Sequence, residues 1–156
     1  MSEPLVEVLG KRFDPNAFAA RVPVGDAGAV VTFTGVCRSE DGRLAALELE
    51  HYPGMAERKL REIARATREA CSLLAVGVAH RHGVVPVGET IVCVVAAARH
   101  RREAFDGASR IMDYLKTDAP FWKKEHAVEG ESGRWVDARG VDDDARSAWE
   151  DATRTR

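Results

Sequence analysis

The chain has 156 residues, enough for one domain with a substantial core and too few for two ordinary ones. Apolar residues make up 45% and charged residues 31%, which excludes a disordered chain, and no apolar run reaches the length needed to span a bilayer. A net charge of −2 argues against general nucleic-acid affinity. The start Met1-Ser2-Glu3-Pro4-Leu5 lacks the basic-then-apolar order of a secretory signal, so a cytoplasmic protein is expected, with no membrane and no nucleic-acid partner.

In chain order, residues 5–9 alternate as a short strand. Asp14-Pro15 then opens a helix to about Val22, with Asp14 suited to cap it and Pro15 to its first position. Residues 29–37 are rich in β-branched and aromatic side chains and read as a strand. After the turn Ser39-Glu40-Asp41-Gly42, residues 43–52 return as a strand with Leu47, Leu49 and His51 on one face. A helix is predicted over 55–72 from apolar positions Ala56, Leu60, Ile63, Thr67 and Ala70.

Val76, Val78 and His80 alternate as the next strand, residues 84–88 read as a connecting turn, and 90–98 form a buried strand. A second long helix is predicted over 102–116, burying Phe105, Ala108, Ile111, Met112 and Leu115. Residues 121–127 and 134–138 close the fold as a strand pair around Gly130-Glu131-Ser132-Gly133. Without a strict β-α-β alternation, the expected class is α+β: a single-domain sandwich of mixed or antiparallel sheet with helices on one face. Residues 1–140 would form the domain, and 141–156 a polar tail, helical or mobile.

Charge is unevenly placed. Between Arg99 and Lys124 there are seven Lys/Arg against four Asp/Glu, whereas the end of the chain is acidic, so a local basic site for a small anion is expected. In Lys116-Thr117-Asp118-Ala119-Pro120-Phe121-Trp122-Lys123-Lys124-Glu125, the proline stops the helix and sets two lysine sites on either side of an aromatic pair. Such a corner can aim two ammonium groups at one small volume. Desolvation by Phe121 and Trp122 would disfavour their protonated forms and suit them to acid, base or nucleophilic work. A lysine at a helix end also suits the dipole with no further role, which accounts for Lys116 but not Lys123.

His100-Arg101-Arg102 places cations at the positive end of a helix, a placement that an anion held there would reverse in sign. The alternative is a solvated basic run. Arg38 follows a strand and can hold a guanidinium or simply face solvent; Arg81 is a weaker case, and Arg139 follows the last strand. Cys37, Cys71 and Cys93 fit neither a disulfide ladder nor a zinc spacing. Cys93 reads as core, and Cys37, beside Arg38, raises the idea of a sulfur-carrying thiol. His51, His80, His82 and His126 have no ligand spacing, so no metal and no cofactor is expected.

Taken with Gly28-Ala29-Val30-Val31-Thr32-Phe33-Thr34-Gly35, Glu50-His51-Tyr52-Pro53-Gly54-Met55, His100-Arg101, Met112-Asp113-Tyr114-Leu115-Lys116 and Arg134-Trp135-Val136, the lysine corner resembles the large, catalytic subunit of molybdopterin synthase. The pattern runs from about residue 28 to 139. The resemblance implies an α/β hammerhead-type fold and a homodimer that binds one small ubiquitin-like subunit per copy, a heterotetramer in all. It implies a sulfurtransferase that passes two sulfurs from the small subunit's C-terminal thiocarboxylate to cyclic pyranopterin monophosphate, forming the dithiolene of molybdopterin. It assigns catalysis to Lys116 and Lys123, substrate binding to Arg38, His100 and Arg101, and Arg139 to the neighbouring subunit's pocket. Two other readings stand beside it: a docking module for a ubiquitin-like carrier that does no chemistry, and a different phosphate-binding enzyme.

Overall fold

Two sheets carry the architecture, and the chain crosses between them where the candidate residues lie. The computed structural model describes residues 2–118, 120–128, 134–136 and 146–150. The first sheet has the order β1-β4-β6-β2, from β1 (Leu5–Leu9), β4 (Ala75–Arg81), β6 (Thr90–Ala98) and β2 (Ala29–Val36). Within it β1 runs parallel to β4, and the other pairs are antiparallel. The second sheet, β5-β3-β7-β8, is antiparallel throughout and uses β5 (Gly83–Pro86), β3 (Leu44–His51), β7 (Phe121–Ala127) and β8 (Arg134–Val136).

The helices form for the local reasons visible in the sequence. In α1 (Pro15–Ala20) the Asp14 carboxylate accepts from Asn16 N at 2.9 Å, and Pro15 takes the first turn, where no N–H is needed. In α2 (Met55–Ala70) Glu57 reaches back to accept from Gly54 N at 2.7 Å. Ser72 then takes a left-handed φ of 53°, and Leu73 N donates to the Arg68 carbonyl at 2.9 Å, which stops the helix. α3 (Arg101–Thr117) follows β6 almost directly.

The two long helices, α2 and α3, cover one face of the first sheet. Leu60, Ile63, Ala64, Ala104, Ala108, Ile111 and Leu115 pack there on Val76, Val78, Val92, Val94 and Ala96. Among the described residues only the short α1 lies on the other face, where Phe18 and Val22 meet Ala75, Ala79, Cys93, Val95 and Ala97. The strand expected from Val76, Val78 and His80 is therefore buried along its whole length, on both faces.

Two further expectations are corrected. Residues 83–86 are not a connecting turn but the edge strand β5, paired with β3 and able to accept Pro86 because an edge leaves one side without ladder bonds. Phe105 is exposed rather than buried. The apolar stripe of α3 runs Ala104, Ala108, Ile111, Leu115, and Phe105 stands about 100° around the axis from it. Small residues on that stripe bring α3 close in: a Cβ on Gly107 would lie 2.7 Å from Leu73 Cδ1. The 130–133 turn, residues 137–138 and most of the tail lie outside the described residues. Within the tail, residues 146–150 are helical and rest against the end of α3, where Arg146 pairs with Asp118 and Trp149 Nε1 donates to Asp113.

Candidate active site at the junction of the sheets

The corner between α3 and β7 is built by competing backbone preferences. Asp118 N donates to the Tyr114 carbonyl at 2.7 Å and Thr117 Oγ1 to the Asp113 carbonyl at 3.1 Å, closing the last turn of α3. Pro120 then forces the chain into extended structure. Lys116 stands exposed on that last turn. On β7 the cross-strand partners are His51 for Phe121, Glu50 for Trp122 and Leu49 for Lys123. Strand alternation therefore puts Lys123 on the same face as Phe121, and Trp122 with Lys124 on the other.

That alternation corrects the expected role of one aromatic. Phe121 turns inward beside the lysines, whereas Trp122 is exposed on the outer face, edge-on to Tyr52 with ring centroids 5.1 Å apart. Only Phe121 is placed to desolvate the site.

Beneath the corner lies His80, for which the sequence suggests no site role. His80, 6% exposed, stacks on Phe121 with centroids 3.8 Å apart and planes 12° from parallel. The His51 ring also lies near-parallel to Phe121, with centroids 6.0 Å apart, and 4.1 Å from that of His82. Burial holds the His80 imidazole down at about 4; the Arg81 carbonyl acts against this, and the charges of Lys123, Lys116 and His51 act with it. The charges of both lysines thus act on one buried ring, and Lys123 shares the β7 face of the Phe121 that covers it. The only sequence signal for this was a histidine at an inward position of a strand.

The other candidate cluster is at the far end of α3. His100 is the N-cap, with extended φ −128° and ψ 156°, and its side chain makes no capping bond, so the first-turn N–H groups are not closed by it. Arg101 follows, exposed. The strand below is drawn in tightly: Gly28 N donates to Ala98 O at 3.0 Å, and a Cβ on Gly28 would lie 2.3 Å from the Arg99 carbonyl. Lys116 lies fifteen helical steps beyond Arg101, about 22 Å along the axis. One copy of the chain does not bring the two clusters together.

The remaining candidates divide. Arg38 is exposed after β2 and is held by Glu40, with Nη2 and Nε donating to Oε1 at 2.9 and 3.2 Å. Because β2 runs alongside α3 in the same direction, Arg38 lies at the Lys116 end of the molecule. Arg81 is not a surface residue: it is 7% exposed, with Nη1 on Glu89 at 2.7 Å and Nη2 on the Val84 carbonyl at 2.9 Å, and it ties β4 to the second sheet. Cys37 is buried, and burial pushes its thiol up, against a sulfur-carrying role. Arg139 lies outside the described residues. Among the described residues no three His, Cys, Asp or Glu side chains converge as a metal site.

Known proteins match this chain over most of its length. The MoaE protein family matches residues 8–118. A molybdopterin synthase catalytic subunit of Brucella melitensis biotype 1 is 51% identical over 148 residues, covering 94% of this chain and 91% of the relative. Among solved structures, the molybdopterin cofactor biosynthesis protein E of Burkholderia multivorans superposes with a TM-score of 0.77 at 42% identity, over 96% of this chain and 98% of that one. A complex of subunits 1 and 2 of the molybdopterin-converting factor from Helicobacter pylori shares the fold, with a TM-score of 0.68 at 18% identity over 86% and 90% of the two chains.

Proposed function

The chain belongs to the MoaE family, and from that premise we propose that Lys116 and Lys123 carry out its chemistry in a site completed by a second copy. The chain is an enzyme, a sulfurtransferase of molybdenum cofactor biosynthesis, as its relatives are molybdopterin synthase catalytic subunits. The observation that supports the site assignment is the stack of Phe121 on the buried His80 ring, with Lys123 on the same face of β7 as Phe121.

In this reading the sulfur donor is the C-terminal thiocarboxylate of a small ubiquitin-like subunit, and the acceptor is cyclic pyranopterin monophosphate. The Helicobacter pylori complex of two subunits supports a small protein partner. Sulfur attack on the pterin and opening of its cyclic phosphate both develop charge and move protons, work that positioned ammonium and guanidinium groups perform. Lys123, half-buried beside Phe121, is assigned the acid–base role, and Lys116, exposed at the mouth, lies nearer the thiocarboxylate carbon. Arg38, His100 and Arg101 bind the phosphate, and Arg139 is assigned to the neighbouring subunit's pocket. The reaction is cytoplasmic, and no described helix is long and apolar enough to cross a membrane.

The homodimer is supported by the edge of the first sheet. β2 ends the strand order, carries no charged residue, and exposes Val30, Phe33 and Val36. An edge of this kind invites pairing with another strand. Antiparallel pairing of two β2 strands about a two-fold axis sets the start of one beside the end of the other. That carries His100 and Arg101 of one copy toward Arg38 and Lys116 of its mate.

The test is reconstitution with thiocarboxylated small subunit and cyclic pyranopterin monophosphate, following dithiolene formation. Product formed in turnover supports the reading. Tight small-subunit binding with no product reduces the chain to a docking module.

A further inference from the structure

His80 is an expensive choice for the position it fills. Burying an imidazole costs free energy that a leucine or phenylalanine of similar shape would not lose, and either would pack on Phe121. One of its nitrogens is accounted for: Nδ1 lies 2.9 Å from the Arg81 carbonyl oxygen. A carbonyl only accepts, so Nδ1 carries the hydrogen and Nε2 is left with its lone pair. Lys123 stands on the same face of β7 as Phe121, whose ring lies on His80, and the charges of Lys123, of Lys116 from α3 and of His51 from β3 are the three that act on the imidazole. Two of the three are ammonium donors, and a neutral imidazole nitrogen is the acceptor that suits them.

We propose that His80 is a positioning residue for the lysine pair: its Nε2 lone pair accepts a hydrogen bond from a lysine ammonium and holds that group toward the reacting carbon. The tautomer is fixed from behind by the Arg81 carbonyl, and the ring plane is fixed by Phe121. Arg81 is itself held by Glu89 and the Val84 carbonyl, so the chain of support reaches from the second sheet to the lysines. A burial-enforced neutral ring serves this role across the physiological range, since an imidazolium would repel both ammonium groups. The inference rests on the reading of Lys116 and Lys123 as catalytic and adds the group that aims them.

The test compares His80→Phe, which keeps the ring stack and removes the acceptor, with His80→Gln, which restores an acceptor oxygen at similar reach. Each is assayed in the assembled synthase for kcat, KM and the pH–rate profile, with thermal unfolding as a control. The expected result for His80→Phe is a kcat lower by roughly 10–100-fold with KM little changed. Its alkaline limb should move to lower pH, because the protonated lysine has lost an acceptor, and its melting temperature should be retained. His80→Gln should recover most of kcat. If His80→Phe fails to fold, His80→Leu gives the same comparison. Parental kcat and pH profile in a folded acceptor-less variant would overturn the proposal. Lys123→Ala, run alongside, separates the two claims: loss of turnover there with a normal His80→Phe removes only His80, whereas normal turnover in Lys123→Ala removes the lysine reading itself.

Discussion

Phe121 lies flat on His80, centroids 3.8 Å apart, while its neighbour Trp122 faces away and meets Tyr52 edge-on. Adjacent aromatics on β7 therefore have separate work, one under the lysine corner and one on the outer face of the second sheet. Phe121→Ala is expected to destabilise the fold by about 3 kcal/mol, through the lost stack and the cavity left over His80. Trp122→Ala should cost about 1 kcal/mol, since it loses an exposed edge-to-face pair. Urea unfolding of the two variants checks the difference, and equal costs would contradict the assigned faces.

Stability should fall on mild acidification, and His80 sets the window. In the unfolded chain the imidazole takes a proton near 6.5, and in the folded protein it does so only at about 4. Between these values the unfolded state binds more protons, so stability rises with pH, is fully present above about 6.5 and declines as pH falls toward 4. The full effect is about 3 kcal/mol. His82 shifts in the same direction, so the parent must be compared with His80→Phe. Unfolding free energies at pH 7.5 and 4.5 should differ less in the variant, and an unchanged difference would contradict the buried neutral ring.

Cys37 should be chemically silent. Its thiol is buried and pushed up by that burial, whereas Cys71 is only half-buried. Thiol-reactive labelling at pH 7.5 should modify Cys71 first, and Cys37→Ala should keep kcat within about twofold of the parent. Loss of turnover in a folded Cys37→Ala protein would return the thiol to the mechanism.

Separation of the two clusters along α3 makes the dimer testable by mixing. Lys116→Ala and a His100→Ala/Arg101→Ala double variant should each be inactive or severely slowed as homodimers. After subunit exchange, half of the dimers are mixed and each mixed dimer holds one intact site, so activity should return to about a quarter of the parent. No recovery despite verified exchange would mean that each copy supplies its own phosphate site.

Much of the fold was legible because local signals agreed with tertiary structure. Asp14-Pro15 capped α1, Pro120 ended α3, and the near-continuous apolar run of residues 90–98 became the central strand β6. The lapses have a common cause: they depend on what packs against a residue. Nothing local shows that α1 will cover the second face of β4, that β3 will recruit residues 83–86 as a strand, or that Ala104 rather than Phe105 lies on the core stripe. At the candidate site, the two lysines proposed for catalysis could be picked out from the proline corner. The platform beneath them could not, because His80 and Phe121 are 41 positions apart and meet only when β7 closes the second sheet.

The most direct test is single-turnover dithiolene formation by the Lys116→Ala and Lys123→Ala enzymes with saturating thiocarboxylated small subunit. The account predicts that Lys123→Ala slows sulfur transfer at least about 100-fold while the small subunit still binds. Normal transfer by Lys123→Ala, with only weakened binding, would contradict it.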